Sequence, residues 1–411
     1  MVRADPPAPP QPGPGGPPRA VLHFAADWLP VSEVFVHDLL RHLPRPGVVV
    51  AANPLRNTDR FPFPHVGSFA AVERWLHPKA LRPAAVTAVL AATAARHRCG
   101  LVHAHHGYRV EQLLGVVRRR RLPLVLSLHG HDVTGYLEQR PDAYRQVRGR
   151  AAAVVVPSRF LAGLAADAGF PAERIRVLPS GVDTGFFRPT PLPDGPPEVL
   201  FVGRFVAKKG IDTLAAAWPQ VQAAVPDARL RLLGLGPLEA LARSIPGAVH
   251  VELSPDRVAV RDAMRRCRLV VTPSHRAGDD AVESLLMVNV EAQASGRPVV
   301  TTRHGGIPEY VAADRTALVV PEADAGALAA AVVRLLRQPA LARRLGEAGP
   351  AHVAWLDVRR AATRMDALYA ELLGEPAPLD AGAPLVDRAA AGAAGCGGAV
   401  AMSAPPGGPG R

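Results

Sequence analysis

The residues of this chain best suited to chemistry lie between Gly278 and Glu309, GDDAVESLLMVNVEAQASGRPVVTTRHGGIPE. Two carboxylates, Glu283 and Glu291, stand there with seven residues between them. Along a helix, eight positions advance about 12 Å at ~1.5 Å per residue. Such a pair does not grip one metal ion; it suits the two ends of an elongated ligand. The helical pattern that follows Glu283 should stop at Gly296-Arg297-Pro298, a Gly with Pro just beyond it. The β-branched run Val299–Thr302 then reads as a buried strand, and Gly305-Gly306 as a turn. Loop, helix, strand and loop make half of an α/β layer whose acidic side chains sit at the ligand edge.

Cations stand on a second such edge. Phe201-Val202-Gly203-Arg204 follows a predicted strand and leads through Lys208-Lys209-Gly210 to a helix near Ile211. Glycine lets backbone approach an anion, two cations neutralise a diphosphate, and the helix N-terminus adds its dipole. Only Lys79, Lys208 and Lys209 are lysines, so two of the three fall here. Histidines end two apolar runs, His103, His105 and His106 in one and His129-Gly130-His131-Asp132 in the other. Imidazoles with an Asp are good metal ligands. The simpler account is two strand ends pointing into one cleft, and the expectation is no bound metal.

These segments together resemble the retaining glycosyltransferases of family GT4. The resemblance rests on the spacing of Glu283 and Glu291, the following Ala-x-Ala-Ser-Gly-Arg-Pro-Val-Val, Gly-Gly-Ile-Pro-Glu, and Gly203-Arg204 with Lys209-Gly210. It covers about residues 20–370. It implies the GT-B architecture, two doubly wound Rossmann-like α/β domains facing a cleft, with no cofactor and no metal. It also implies transfer of a sugar from a nucleotide-diphosphate donor to an acceptor hydroxyl with retention, by front-face displacement. Arg204 and Lys209 would carry the leaving diphosphate, Glu283 the sugar hydroxyls and Glu291 the ribose, with His129 beneath the sugar ring. Gly203, Ser284 and Leu285 would line the donor. Ser32-Glu33-Val34-Phe35 is similar to a Ser-Glu-Thr-Phe stretch in exopolysaccharide enzymes related to colanic acid synthesis, which places Ser32 and Glu33 on the acceptor side. Two departures stand out. The first loop lacks the family's Gly-Gly pair, and Ser284-Leu285-Leu286 replaces the usual Gly and Pro after the first Glu.

Strands alternating with helices are needed to hold these residues. Val21–Phe24, Val48–Ala51, Leu101–His106, Leu124–His129, Ala152–Pro157 and Arg176–Pro179 read as a first parallel set. Val199–Val202, Arg229–Leu233, Val249–Leu253, Leu269–Thr272, Val299–Thr302 and Ala317–Val320 form a second, after a Pro-rich hinge at 188–197. The expected organisation is a Pro-rich disordered arm over 1–19, an acceptor-side domain over 20–190 and a donor domain over 191–350. A helix over 351–373 crosses back to the first domain, and a disordered tail fills 374–411. The three scattered cysteines suggest a reducing compartment. With no apolar leader or membrane-spanning run, the expectation is a cytoplasmic protein.

Charge is uneven. Residues 1–190 hold 24 Lys+Arg against 13 Asp+Glu, and the rest hold 24 against 23. The first domain thus carries nearly all of the net +12, most densely at Arg118–Arg121. An anionic membrane surface at the inner face of the plasma membrane would suit it, with a sugar or lipid-linked acceptor. Nearly every basic residue is Arg, so biased composition is the competing account. A nucleotide-sugar 2-epimerase of the same fold and a non-catalytic basic module are the rival functions. Aromatic content of only 5% leaves few stacking platforms for nucleic acid.

Overall fold

The computed structural model describes residues 18–30, 33–251, 257–278 and 282–377. In the first half, strands and helices alternate as β1 (Ala20–Ala25), α1 (Val34–His42), β2 (Gly47–Ala51), β3 (Val66–Ser68), α2 (Ala70–Trp75), α3 (Arg82–Arg96), β4 (Cys99–Ala104), α4 (Leu114–Arg120), β5 (Leu124–Ser127), α5 (Gly135–Gln139), β6 (Ala151–Val156), α6 (Arg159–Asp167) and β7 (Ile175–Val177). The second half continues with β8 (Glu198–Val202), α7 (Ile211–Ala224), β9 (Arg229–Leu233), α8 (Glu239–Ser244), β10 (Ala248–Val251), α9 (Arg257–Arg266), β11 (Leu269–Thr272), α10 (Met287–Ala294), β12 (Val299–Thr302), β13 (Ala317–Val320), α11 (Ala325–Arg337), α12 (Pro339–Val353) and α13 (Val358–Leu373).

The strands form two all-parallel sheets, ordered β3-β2-β1-β4-β5-β6-β7 and β10-β9-β8-β11-β12-β13. Inner strands such as β1, β4 and β12 are buried along their whole length, as strands between two helix layers must be. The strand order reverses between β1 and β4 and again between β8 and β11. Crevices open outside the carboxyl ends of the strands at such points. The loops singled out by the sequence leave β4, β5, β8 and β11, at or beside these two points.

Helix α13 follows the second sheet in sequence but packs on the first. Its Ala361, Ala362, Met365, Leu368, Tyr369 and Leu373 share a core with Val21, Leu101, Val125 and Val155. Asp357 caps it by accepting from the Arg359 N–H at 2.9 Å. Buried Arg45 pairs with Asp366 of the same helix at 2.6 Å and with Glu375 at 2.7 Å.

Two sequence expectations need correction, and one strand went unpredicted. The runs ending in histidine stop earlier as strands, at Ala104 and Ser127, so His105, His106 and His129 sit in the loops beyond. Glu283 is not helical; α10 starts only at Met287, so the helical spacing of the two carboxylates does not apply. The short edge strand β3 has no alternating pattern to reveal it. Ser32, Asp279 and Asp280 lie outside the described residues, as do most of the arm and tail.

Candidate active site

On the second domain, the chain leaves β8 at Val202 and turns through Gly203-Arg204. Gly210 adopts φ +69°, and a Cβ there would stand 1.9 Å from the Pro273 carbonyl oxygen. Only glycine meets both demands. Helix α7 begins at the next residue, so its free N–H groups and the Lys209 side chain reach the same crevice. Lys209 Nζ lies 2.7 Å from Glu283 Oε1.

Glu283 is held from below. Its N–H donates to His304 Nε2 at 3.3 Å, and His304 Nδ1 stands 3.0 Å from Glu322. The Gly306 N–H donates to the Glu283 carbonyl at 2.8 Å. A Cβ on Gly305 would come within 2.2 Å of that carbonyl oxygen, and one on Gly306 within 2.1 Å of the Ser284 carbonyl oxygen. The Gly-Gly pair is therefore the floor on which Glu283 and Ser284 lie. Burial pushes the Glu283 carboxyl up, but Lys209 and Lys208 outweigh it and hold the group below its ordinary value. It is a carboxylate at neutral pH.

Glu291, on α10, behaves in the opposite way. Burial pushes its carboxyl up to about 7, Arg257 draws it back, and Asp38 of the first domain adds to the rise. Arg257 bridges the domains, 2.7 Å from Asp38 and stacked over Phe186 at 4.8 Å. A carboxyl raised from 4.5 to about 7 contributes its full stability below pH 4.5 and loses it as pH rises through 7. Glu291→Gln should therefore melt later than the wild type above pH 7, by an amount equivalent to about 1–3 kcal/mol, and alike near pH 4.5. Thermal melts across that range check this. An unchanged difference at every pH would contradict it.

On the first domain, side chains of one sheet face form a row at the carboxyl edge. His23 and His103 are register partners on β1 and β4, and His105 lies two residues beyond. His23 Nδ1 lies 3.1 Å from His105 Nε2, while His103 contacts Tyr369 Oη at 2.5 Å and Ser127 Oγ at 2.8 Å. Burial drives all three imidazoles well below their usual range, so they are neutral. Their ligand atoms lie within 4.8 Å of one another.

His129 continues the row. Its Nε2 meets the His105 carbonyl at 2.9 Å, so this nitrogen carries the hydrogen. Burial, then the neighbouring His106, lower its pKa to about 3. A neutral ring with Nε2 protonated leaves Nδ1 as a hydrogen-bond acceptor. Phe35 packs its ring against His129 at 5.0 Å.

Beside it lies a charged group that sequence reading missed. His106 Nε2 is 3.0 Å from Glu33, and its Nδ1 is 3.9 Å from Asp132. Burial opposes charge on this ring, but Glu33 and Asp132 together lift it to about 10. Asp132 also accepts from the Gly107 N–H at 2.8 Å and the His129 N–H at 2.7 Å. The only sequence signal was that His106 and Asp132 follow adjacent strands. Glu33 thus meets His106 at the first-domain edge.

The two edges touch. Ser284 Oγ donates to the His129 carbonyl at 3.0 Å, and a Cβ on Gly130 would stand 2.9 Å from the Val282 carbonyl oxygen. Arg204 is exposed at the second-domain edge. Leu285 is half-buried between Ser284 and α10. Further along, Glu309 accepts from the Arg159 and Phe160 N–H groups, each at 2.8 Å, and so caps α6 of the opposite domain. Tyr310 donates to the Pro157 carbonyl beside it.

Two parallel α/β sheets whose carboxyl edges meet at one cleft make the GT-B architecture. The profile described as Glycosyltransferase Family 4 matches residues 32–186, and that described as Glycosyl transferases group 1 matches residues 196–338. A GDP-mannose-dependent alpha-(1-6)-phosphatidylinositol monomannoside mannosyltransferase of Mycolicibacterium smegmatis is 35% identical over 58% of this chain and 67% of its own length. The Escherichia coli protein WcaL, assigned to colanic acid biosynthesis as a glycosyltransferase, is 33% identical over 53% of this chain and 55% of its own. Anabaena Alr3699/HepE, solved with UDP and glucose, superposes with a TM-score of 0.71 at 18% identity, covering 86% of this chain and 99% of that one. The chain belongs to glycosyltransferase family 4. That membership, with the paired cleft residues, sets aside the non-catalytic binding module.

Proposed function

We propose that the enzyme moves a hexosyl group from a nucleoside-diphosphate sugar to an acceptor hydroxyl with retention, in the synthesis of an exopolysaccharide, cell-envelope glycan or glycolipid. The Lys209–Glu283 pair at the mouth of α7 carries this reading. Charge develops on the leaving diphosphate, and preorganised cations beside a helix N-terminus stabilise it most. Arg204 and Lys209 take that role. Ser284 and Leu285 stand with Gly203 where backbone would meet the donor. Glu283, held ionised, accepts hydrogen bonds from sugar hydroxyls. Neutral His129 offers Nδ1 to the opposite face of the ring. Glu291 takes the ribose hydroxyls, and Glu33 faces the acceptor. The leaving phosphate itself would draw the proton from the attacking hydroxyl on the same face. Thermal shifts with UDP-, GDP- and ADP-sugars identify the donor, and the anomeric coupling of the product by NMR tests retention. An inverted product would overturn the mechanism; a C2-epimerised donor with no transfer would replace it by epimerisation.

Because Arg204, Lys208 and Lys209 provide the positive charge, transfer is expected to persist in excess chelator. Activity abolished by EDTA and restored by Mn²⁺ would show that a metal carries the diphosphate instead.

A further inference from the structure

Helix α3 lacks the polar face that a surface helix needs. Its sequence, RPAAVTAVLAATAAR, holds no charged residue between Arg82 and Arg96. Val86, Leu90, Ala91 and Ala94 fill the core. The opposite side, Ala84, Ala88, Val89, Ala92 and Ala95, is exposed and equally apolar. A surface helix ordinarily places charge there. At its start stand two large exposed apolar side chains, Trp75 at 69% and Leu81 at 51%. Large apolar groups grouped on one surface mark an interaction site.

Cations surround this strip. Arg74 stacks over Trp75 at 4.7 Å, and Lys79 and Arg82 flank Leu81. At the far end lie Arg96 and Arg98. Helix α4 runs beside α3, so close that a Cβ on Gly115 would meet Thr87 Oγ1 at 2.0 Å. Its exposed Arg118–Arg121 therefore continue the basic rim. The nearby acid Glu73 is paired with Arg109.

We propose that α3, with Trp75 and Leu81, is the surface by which the enzyme docks on an anionic bilayer. An apolar strip about 22 Å long, from 15 residues, with a Trp at one end and basic residues around it fits the headgroup–acyl boundary. Charge complementarity selects the partner: phosphate headgroups match a rim of arginines and one lysine in which Glu73 is already paired. The orientation serves catalysis. Helices of a parallel sheet begin at its carboxyl edge, so Trp75 and Leu81 lie at the cleft end of the strip. Its use rests on the glycolipid branch of the function proposed above, but docking itself is measured without donor or acceptor, so the two fail separately.

The test uses the full chain with vesicles of phosphatidylcholine alone or mixed with phosphatidylglycerol. Of the four tryptophans, Trp28 and Trp218 are buried and Trp355 is half-buried, so emission from the surface reports Trp75. Anionic vesicles should shift that emission to the blue, brominated lipid should quench it, and high salt should reverse both. Trp75→Phe should remove the shift but keep co-sedimentation. Ala88→Glu, a good helix former on the exposed side, should lower the bound-to-free ratio about tenfold with an unchanged melting temperature. Equal binding to neutral vesicles, or an Ala88→Glu variant that sediments like the wild type, overturns the proposal. So does a dimer in ultracentrifugation that Ala88→Glu dissociates while vesicles go unbound, which would give the face to a second copy.

Discussion

Lys209→Ala is expected to lower the transfer rate by about 10²–10³, the usual cost of removing one donor aimed at developing charge. Arg204→Ala should have an effect of the same order. Their side effects differ, and the difference is diagnostic. Arg204 is exposed, so its loss should leave the melting temperature unchanged. Lys209 faces a carboxylate that is only 7% exposed, and its removal strands that charge beside Lys208. Lys209→Ala should therefore also melt earlier, and the Glu283 carboxyl should titrate higher. Lys209→Arg keeps the charge and should recover much of the rate. Rates with the identified donor, read beside circular dichroism and melting curves, decide it. Near-wild-type turnover in both alanine variants would remove the diphosphate from this edge.

The largest stability effect should come from His106→Gln, an expected loss of about 3–5 kcal/mol, because Glu33 and Asp132 would face each other without their cation. The sign of the pH dependence follows from a folded pKa of about 10 against an ordinary 6.5. Stability from this group is complete below pH 6.5 and is lost as pH rises through 10. The wild type should fall in melting temperature over that interval, and the variant should lack that slope. Parallel curves for both proteins would mean that His106 is uncharged in the fold. Rates measured below pH 6.5 for both proteins then separate its influence on Glu33 from its influence on folding.

Much of this architecture could be read from the residues, for identifiable reasons. The apolar runs over 199–202, 269–272, 299–302 and 317–320 lie within or coincide with β8, β11, β12 and β13 because buried parallel strands leave no polar position to blur them. Edge strand β3, half-buried and three residues long, carries no such signature. The neighbourhoods of Lys209 and Glu283 were legible because glycines with special backbone demands surround them. The ion pair between these two was not, since it joins loops after two different strands. His106 was seen only as one of several histidines. Its charge depends on Glu33 and Asp132, which lie 73 residues before it and 26 after it in sequence and meet it only in the fold. The exposed side of α3 was not legible, because both sides of its sequence are apolar and only the fold settles which one enters the core.

Each half of the molecule finishes the other. Helix α13, written after the second domain, supplies part of the first domain's core, while Glu309 of the second domain caps the start of helix α6 of the first. A genetic cut at the Pro-rich hinge therefore does not separate two exchangeable parts. A chimera meant to graft a new donor specificity would have to leave α13 with its recipient domain and keep a carboxylate opposite α6. Recombination in this lineage should tolerate crossovers within the loops of one sheet more readily than at the seam between the two.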